Sequence, residues 1–292
     1  MRVLIFGGSG MLGHKLVQKW NDKFDVWTTL RGDLKSLAEI NIFDKDKTIE
    51  NVEVEDQEKV SEVIDRIKPA VIVNAVGVIK QLDAAGNVVK SLTTNAIFPH
   101  RLHGFAKNIG ARLICISTDC VFSGKKGNYN EEDTPDAYDL YGKSKNLGEV
   151  IAENCLTIRT SIIGRELRTA HSLLEWFLSN RGKKVKGYKQ AIFSGFPTIV
   201  LAEILADLIV NHKDLNGLYH VSSEPINKYD LLNLLKSAYD VDIEIEPSEE
   251  VKIDRSLDSK KFREATEFKP LSWSEMIKTM AHDPTPYDAW RK

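Results

Sequence analysis

The sequence predicts a doubly wound α/β fold, in which a Rossmann-type parallel sheet is followed by a smaller C-terminal α/β lobe. Two observations carry this prediction. Short apolar runs alternate with helical patterns over roughly the first 160 residues, and a glycine-rich turn directly follows the first apolar run. Strands that alternate with helices are joined by right-handed crossovers, so their sheet is parallel.

The expected strands of the first half are short apolar runs, typical of strands buried on both faces. They lie at 3–6, 24–30, 70–75, 111–117 and 155–160. Helical spacing of apolar residues predicts helices at 11–20, from the N-cap Asp56 to Pro69, at 91–108 and at 138–154. Pro99 is expected to kink or break the third of these helices.

The pattern changes after about residue 164. Here we expect helices at 171–179, 199–211, 229–239 and 272–281, a further sheet strand at 218–221, and charged, looser sequence between the last two helices. We therefore expect a dinucleotide-binding domain over 1–164, with return segments near 190–222, and a lobe over 165–292 that mainly binds substrate.

Composition bounds the classes of partner. The chain of 292 residues is 42% apolar and 28% charged, with a net charge of −2, which gives no general attraction to nucleic acid or to membranes. Three cysteines without CxxC spacing argue against a disulfide framework and favour a cytoplasmic protein. The histidines are scattered, so no metal site is expected.

The glycine-rich turn contains Gly7, Gly10 and Gly13 at GxxGxxG spacing, between a buried strand and an amphipathic helix. Glycine there permits a tight turn, close approach of the backbone to phosphate oxygens, and close packing of helix on strand. The helix N-terminus, with Met11 and Leu12, offers N–H groups to a pyrophosphate. This context predicts that the loop binds a dinucleotide.

The end of the second strand bears on the choice of cofactor. NAD-selective folds place an acid there, whereas this chain has Arg31, which can pair with a 2′-phosphate. We therefore predict a preference for NADP(H). Asp33 is close enough to allow NAD(H) as well.

A proton-transfer site is predicted from three residues. Tyr141 and Lys145 are four residues apart on an expected helix and so share one face, while Thr118 follows a strand at the ligand-binding edge of the sheet. An ammonium near tyrosine favours the phenolate, whose parent pKa of about 10 is otherwise too high for exchange near neutrality. The Thr118 hydroxyl can orient a carbonyl oxygen.

With these motifs the chain resembles the extended short-chain dehydrogenase/reductases, and within them the dTDP-4-dehydrorhamnose reductase family. The matching stretches are GGSGMLG at 7–13, NAVG at 74–77, STDCVFSG at 117–124, YGKSKNLGE at 141–149, RTSIIG at 159–164, SGFPT at 194–198 and RSLDSKKF at 255–262.

The resemblance implies a catalytic triad of Thr118, Tyr141 and Lys145, and substrates that are nucleoside-diphosphate 4-keto-6-deoxy sugars for polysaccharide precursors. It implies a cofactor site lined by the glycine turn, Arg31, Tyr141 and Lys145. The other residues of this site would be Ala75, Val76, Gly77, Asn95, Ser117 and Thr160. The substrate side would comprise Thr118, Asp119, Cys120, Ile162, Phe196 and Arg255, the last on the diphosphate. The resemblance is also compatible with a homodimer.

Departures from the family pattern leave the sugar open. Cys120 stands where relatives usually have tyrosine, and Ile162 where true dehydrorhamnose reductases often have tryptophan. The sugar is accordingly dTDP-4-dehydrorhamnose or a UDP-linked N-acetylated relative, and Lys80 is a further candidate to face it. Dehydration is disfavoured because no glutamate follows Asp119. An epimerase of the same superfamily and a non-catalytic NADP-binding regulatory subunit remain as alternatives.

Overall fold

The computed structural model describes residues 1–79 and 86–291. The strands, in chain order, are β1 (Arg2–Phe6), β2 (Asp25–Thr29), β3 (Thr48–Ile49), β4 (Val71–Asn74), β5 (Arg112–Thr118), β6 (Cys155–Thr160), β7 (Ile162–Ile163), β8 (Lys184–Phe193), β9 (Phe196–Pro197), β10 (Gly217–His220), β11 (Ile226–Asn227) and β12 (Glu244–Asp254).

The α-helices are α1 (Gly13–Trp20), α2 (Gln57–Ile67), α3 (Val88–Ser91), α4 (Phe98–Asn108), α5 (Leu140–Leu147), α6 (Leu173–Leu178), α7 (Thr198–Val210), α8 (Lys228–Ala238), α9 (Lys260–Thr266), α10 (Trp273–Ala281) and α11 (Tyr287–Trp290). None of the helices in the described ranges combines the length and the apolar character that a membrane span requires.

Seven strands form one parallel sheet in the order β10-β6-β5-β4-β1-β2-β3. The order reverses at β1, since β4 lies on one side of it and β2 on the other. Phe6 pairs with Thr29 and with Asn74, so the three carboxyl ends are level. Such a switch point opens a crevice at the carboxyl edge, where α/β sheets bind ligands. The predicted doubly wound fold is confirmed.

The core lies on both faces of this sheet. Residues 3–6 of β1 are completely buried, and alternate side chains enter opposite clusters. Val3 and Ile5 join the cluster that includes α1 and α7, whereas Leu4 and Phe6 join the cluster that includes α2 and α4. Burial on both faces explains why the strand is a continuous apolar run.

The helix expected from Asp56 is confirmed, because the Asp56 carboxylate accepts from the Lys59 N–H at 2.9 Å and caps α2. Helix α1 begins at Gly13, two residues later than predicted, since residues 10–12 belong to the glycine turn. The break expected near Pro99 takes the form of a π-helix, Leu92–Ile97, before α4, where the proline occupies the first turn.

The helix predicted over 138–154 is wrong beyond Leu147. Gly148 packs against the backbone of the π-helix so closely that a Cβ would lie 1.9 Å from the Asn95 carbonyl oxygen. The chain therefore turns away from the helix axis. Val150 then enters the core, with its carbonyl accepting from the Thr157 hydroxyl at 2.6 Å.

A second sheet of three strands, β11-β8-β12, was not predicted, and the segment expected to be loose forms β12. Its charged residues form cross-strand pairs with β8, such as Lys184–Glu244 at 3.1 Å and Lys186–Glu250 at 2.7 Å. Charges on the exposed face of a strand hide the period-2 apolar signal, which explains why the sequence suggested a loop.

Candidate active site

The glycine turn lies at the switch point, directly after β1. Gly7 adopts a φ of +91°, and a Cβ on Gly13 would lie 2.0 Å from the Gly7 carbonyl oxygen. That carbonyl accepts from the Gly10 N–H at 3.0 Å. Glycine is therefore required at position 7 by conformation and at position 13 by close packing of α1 on the turn.

The same turn presents backbone donors to the crevice. Met11 and Leu12 lie between the turn and the first residue of α1, and their N–H groups donate to no acceptor within residues 1–79 and 86–291. Free N–H groups at a helix start, combined with the helix dipole, suit a pyrophosphate. The residues present thus fit a dinucleotide.

A buried histidine supports the turn from behind, a feature that the sequence analysis missed. His14 Nδ1 lies 2.8 Å from the Gly10 carbonyl oxygen, and Nε2 lies 2.8 Å from the Tyr287 hydroxyl. Burial lowers the pKa of His14 to about 4, so the ring is neutral. Because a carbonyl only accepts, Nδ1 carries the proton and Nε2 accepts from Tyr287.

At the end of β2, Arg31 is exposed, two residues beyond Thr29, whose carbonyl accepts from the Gly8 N–H at 3.0 Å. Arg31 therefore stands beside the glycine turn. Asp33 caps the following 3₁₀ turn, with its carboxylate accepting from the Ser36 N–H at 2.8 Å. That bond engages one oxygen of the carboxylate, Oδ1.

The loop after β4 lies against the turn. A Cβ on Gly7 would lie 3.1 Å from Val76 and 3.2 Å from the backbone of Ala75, and one on Gly77 would lie 3.5 Å from Asn95 Oδ1. Lys80 lies outside the described residues.

Asn95, on the π-helix, is almost completely buried. Its Oδ1 accepts from the Val78 N–H at 2.9 Å, and its Nδ2 donates to the Val78 carbonyl at 3.0 Å and to the Ser144 hydroxyl at 3.1 Å. The amide thus joins the loop after β4 to α5, and as placed it is engaged by the protein rather than by the crevice.

Thr118 and Tyr141 meet at the carboxyl edge of β5. The Thr118 hydroxyl donates to Asp119 at 3.1 Å and accepts from the Cys120 N–H at 3.1 Å. It is also a hydrogen-bond neighbour of the Tyr141 hydroxyl. Burial raises the pKa of Tyr141, against the smaller effect of that bond, so the phenol is protonated at neutral pH.

Lys145 lies one turn after Tyr141 on α5, and only 9% of it is exposed. Its Nζ donates to the Ile116 carbonyl at 2.8 Å. Burial lowers the pKa of Lys145, while the charge of Glu149 raises it. The Ser117 hydroxyl, on the adjacent residue of β5, donates to Glu149 at 2.7 Å.

The expected substrate residues Cys120, Ile162 and Phe196 and the expected cofactor residue Thr160 differ in exposure. Cys120 and Ile162 are partly exposed near the same edge, whereas Thr160 is buried at the end of β6. Phe196 pairs with Ile162 between β9 and β7 and is completely buried in the core. As placed, Phe196 supports Ile162 from behind.

Arg255 connects the second sheet to the catalytic edge. It follows β12, and its Nε donates to the Phe122 carbonyl at 2.8 Å, two residues after Cys120. Other cations of the lobe are engaged elsewhere. Arg165, for example, pairs with the buried Glu175 at 2.8 Å.

Lys228 is a further cation at this edge that no sequence pattern singled out. It follows Asn227, which pairs with Ile192 of β8, and Asp254 pairs with the same Ile192 from the other side. Burial lowers the pKa of Lys228, while the charges of Asp119 and Cys120 raise it. A lysine in the first turn of α8 opposes the helix dipole, which is the signal that could have identified it.

No group of three or more histidine, cysteine, aspartate or glutamate side chains in the described part of the chain is placed to hold a metal ion. The geometry therefore combines a glycine turn with free N–H groups, the Thr118, Tyr141 and Lys145 set, of which Tyr141 is partly exposed, and two cations around one crevice.

Comparison with known proteins identifies the family and similar folds. A family model described as the RmlD substrate binding domain matches residues 1–285. The dTDP-4-dehydrorhamnose reductase of Aggregatibacter actinomycetemcomitans is 28% identical over 241 residues, which cover 78% of this chain and 76% of that protein. The methionine adenosyltransferase 2 subunit beta of Bos taurus is 26% identical over 260 residues, covering 82% and 72%.

The fold is also that of a solved structure, the dTDP-4-dehydrorhamnose reductase of Bacillus anthracis in complex with NADP. Its TM-score is 0.78 at 21% identity, with 96% of this chain and 98% of that chain covered.

Proposed function

The chain belongs to the RmlD substrate binding domain family, which its match over residues 1–285 shows, and from that premise we propose that it is an NADPH-dependent reductase of a nucleoside-diphosphate 4-keto-6-deoxy sugar. The observation that carries the proposal is the meeting of Thr118, Tyr141 and Lys145 at the sheet edge beside the glycine turn. A pure binding module has no need of a tyrosine beside a buried lysine at that point.

NADPH, when bound, supplies the hydride that reduces the carbonyl carbon. Gly7, Gly10, Met11, Leu12 and Gly13 would hold its pyrophosphate, since this turn offers free N–H groups. Arg31 would pair with the 2′-phosphate, while the Asp33 carboxylate is held in a helical cap. These contacts favour NADP(H) and permit NAD(H). Ala75, Val76, Gly77, Ser117 and Thr160 would line the rest of the cofactor site.

Tyr141 would supply the proton to the developing alkoxide. Because burial raises its pKa, the phenol is in the acid form that the step requires. The Lys145 ammonium then stabilises the phenolate that remains, and the Thr118 hydroxyl orients the carbonyl oxygen.

The substrate diphosphate would be bound by Arg255 and Lys228, two cations that leave the small sheet on either side of Ile192. Asp119, Cys120 and Ile162, backed by Phe196, would surround the sugar. The short side chains of Cys120 and Ile162 leave more room than tyrosine and tryptophan would. The extra room would accommodate a bulkier sugar, such as a UDP-linked N-acetylated one, as well as dTDP-4-dehydrorhamnose.

The test is oxidation of NADPH by the purified protein with each 4-keto sugar nucleotide in turn. We expect loss of NADPH equal to the product formed, which an epimerase would not give. Tyr141→Phe should lower kcat by at least about a hundredfold. Tyr138→Phe, on an exposed tyrosine three residues away, is the matched control and should keep full activity.

A second candidate, a non-catalytic subunit that binds a partner enzyme, is favoured by the similarity to methionine adenosyltransferase 2 subunit beta. One stoichiometric partner in a pull-down, with no reductase activity on any sugar nucleotide, would select it. In that case Tyr141→Phe would leave partner binding unchanged.

A further inference from the structure

A buried ion pair is bonded to β5 one residue beyond the carbonyl that holds Lys145. Arg159 of β6 and Glu149 are only 3% and 4% exposed, and both guanidinium-to-carboxylate bonds, Nε to Oε1 and Nη2 to Oε2, are 2.7 Å long. Such a bidentate pair is the strongest geometry for these groups. The Ser117 hydroxyl donates a third bond to the carboxylate, at 2.7 Å.

The remaining groups of Arg159 are also accounted for. Its Nη1 lies 3.1 Å from His220 Nε2, while His220 Nδ1 lies 2.9 Å from the Tyr129 carbonyl oxygen. Burial lowers the pKa of His220 to about 4, so this ring is neutral and its Nε2 accepts from Arg159. The guanidinium also lies over the Phe122 ring, 5.1 Å from its centroid. The cation is therefore fixed in one orientation.

The pair is coupled to the catalytic set through one stretch of β5. The Ile116 carbonyl accepts from Lys145 Nζ, and the next residue, Ser117, holds Glu149. A buried ammonium loses its proton unless an opposite charge is near, and the charge of Glu149 raises the pKa of Lys145.

Two further sets of ionisable groups face the catalytic side chains. Cys115 lies near Lys145, while Cys120, Asp119 and Asp139 lie near Tyr141. The carboxylates near Tyr141 raise its pKa and do not act on Lys145 through a direct bond. Glu149 is thus the carboxylate that acts on the Lys145 ammonium.

We propose that Glu149, fixed by Arg159, is a positioning residue that keeps the Lys145 side chain charged and directed toward Tyr141. The proposal rests on the reductase function proposed above. A buried ion pair is weak support for stability, since apolar residues of the same volume often serve as well. Its place behind the catalytic lysine gives it a reason to be retained.

The test is the pH profile of kcat in Glu149→Gln, which keeps the shape and leaves the Arg159 charge unbalanced. Loss of the carboxylate makes the Lys145 ammonium less stable, and the unbalanced Arg159 cation disfavours a second positive charge nearby. Both changes lower the pKa of Lys145 and move the alkaline limb of the profile to lower pH, so kcat should fall on the order of tenfold at pH 8.5 and much less at pH 6.5. Glu149→Asp should restore part of the limb.

Glu175→Gln is the matched control, because Glu175 is an equally buried carboxylate paired with arginines away from the site. It should lower thermal stability without moving the limb. If Glu149→Gln does not fold, Glu149→Gln combined with Arg159→Met removes both charges, and its alkaline limb should still move down because Lys145 loses its carboxylate.

A limb that coincides with that of the wild type in the folded variant would overturn the proposal. Failure of the reductase function itself is distinguished by a spectroscopic titration of the free protein. The NMR resonance of Lys145 Nζ, assigned by its absence in Lys145→Met, should titrate at lower pH in Glu149→Gln whether or not the protein reduces a sugar.

Discussion

The side-chain amide of Asn95 bonds to both backbone groups of Val78, accepting from its N–H at 2.9 Å and donating to its carbonyl at 3.0 Å. The amide thus supplies to Val78, in the loop after β4, the same pair of hydrogen bonds that a neighbouring strand would supply. Its third bond, to the Ser144 hydroxyl, links that loop to the helix that carries Tyr141 and Lys145. Two segments that border the crevice are therefore held by one side chain.

Asn95→Ala should accordingly lower both stability and kcat. It leaves a buried N–H and a buried carbonyl unpaired, which costs about 2–4 kcal/mol of unfolding free energy. Urea unfolding and steady-state kinetics measure the two effects. Asn216→Ala, on an exposed amide, should change neither, and an Asn95→Ala protein with wild-type kcat would show that the clamp does not position α5.

How much the sequence predicts depends on whether a feature is local. The strand over 155–160 was predicted to the residue because its six side chains are all buried. The catalytic spacing was visible because Tyr141 and Lys145 share one turn of helix. The end of α5 at Leu147 was not visible, because its cause is the backbone of Asn95. That residue is 53 positions from Gly148 along the chain but is packed against it in the fold.

Features assembled from distant segments were missed for the same reason. In the sequence His14 is an ordinary helix residue, because its partner Tyr287 lies near the other end of the chain. Lys228 and Arg255 are brought close only because the strands before them both pair with β8. Glu149 is the last residue of the stretch YGKSKNLGE, but the helix ends at Leu147, so its spacing from Lys145 does not place the two on one helix face. Its partner Arg159 lies on another strand.

Arg31→Ala should change the cofactor preference. Loss of a guanidinium that pairs with the 2′-phosphate should raise the KM for NADPH by about tenfold to a hundredfold and leave that for NADH within about twofold. Kinetics with each cofactor measure this. Lys35→Ala removes the same charge from a neighbouring exposed position and should alter neither KM. Equal weakening of both cofactors would contradict the assignment of Arg31 to the phosphate.

Lys228→Ala should raise the KM for the sugar nucleotide by roughly tenfold, with kcat little changed, because a partly buried cation near a diphosphate contributes to binding in ground and transition states alike. Lys228→Arg should retain most of the affinity. Lys260→Ala, on a lysine exposed in the same lobe, is the control. A fall in kcat without a change in KM would instead place Lys228 in the chemical step.

The pH dependence of stability should reveal the neutral His14 ring. Its pKa is about 4 in the folded protein, against 6.5 in the unfolded chain, so the unfolded state binds the proton first as the pH falls. The contribution of this ring is therefore complete above about pH 6.5 and is lost as the pH falls toward 4. At pH 5 the loss should be on the order of 2 kcal/mol.

Comparison of urea unfolding at pH 7.5 and pH 5 in wild type and His14→Asn isolates this loss. The variant should be less stable at pH 7.5, because it loses the bonds to Gly10 and Tyr287. Because asparagine cannot titrate, it should lose less unfolding free energy between pH 7.5 and pH 5. The other buried neutral histidine, His220, stays in both proteins and cancels from the difference. An equal loss in wild type and His14→Asn would mean that the ring behind the glycine turn is not held neutral, and the hydrogen bonds assigned to Gly10 and Tyr287 would then need the other tautomer or a protonated ring.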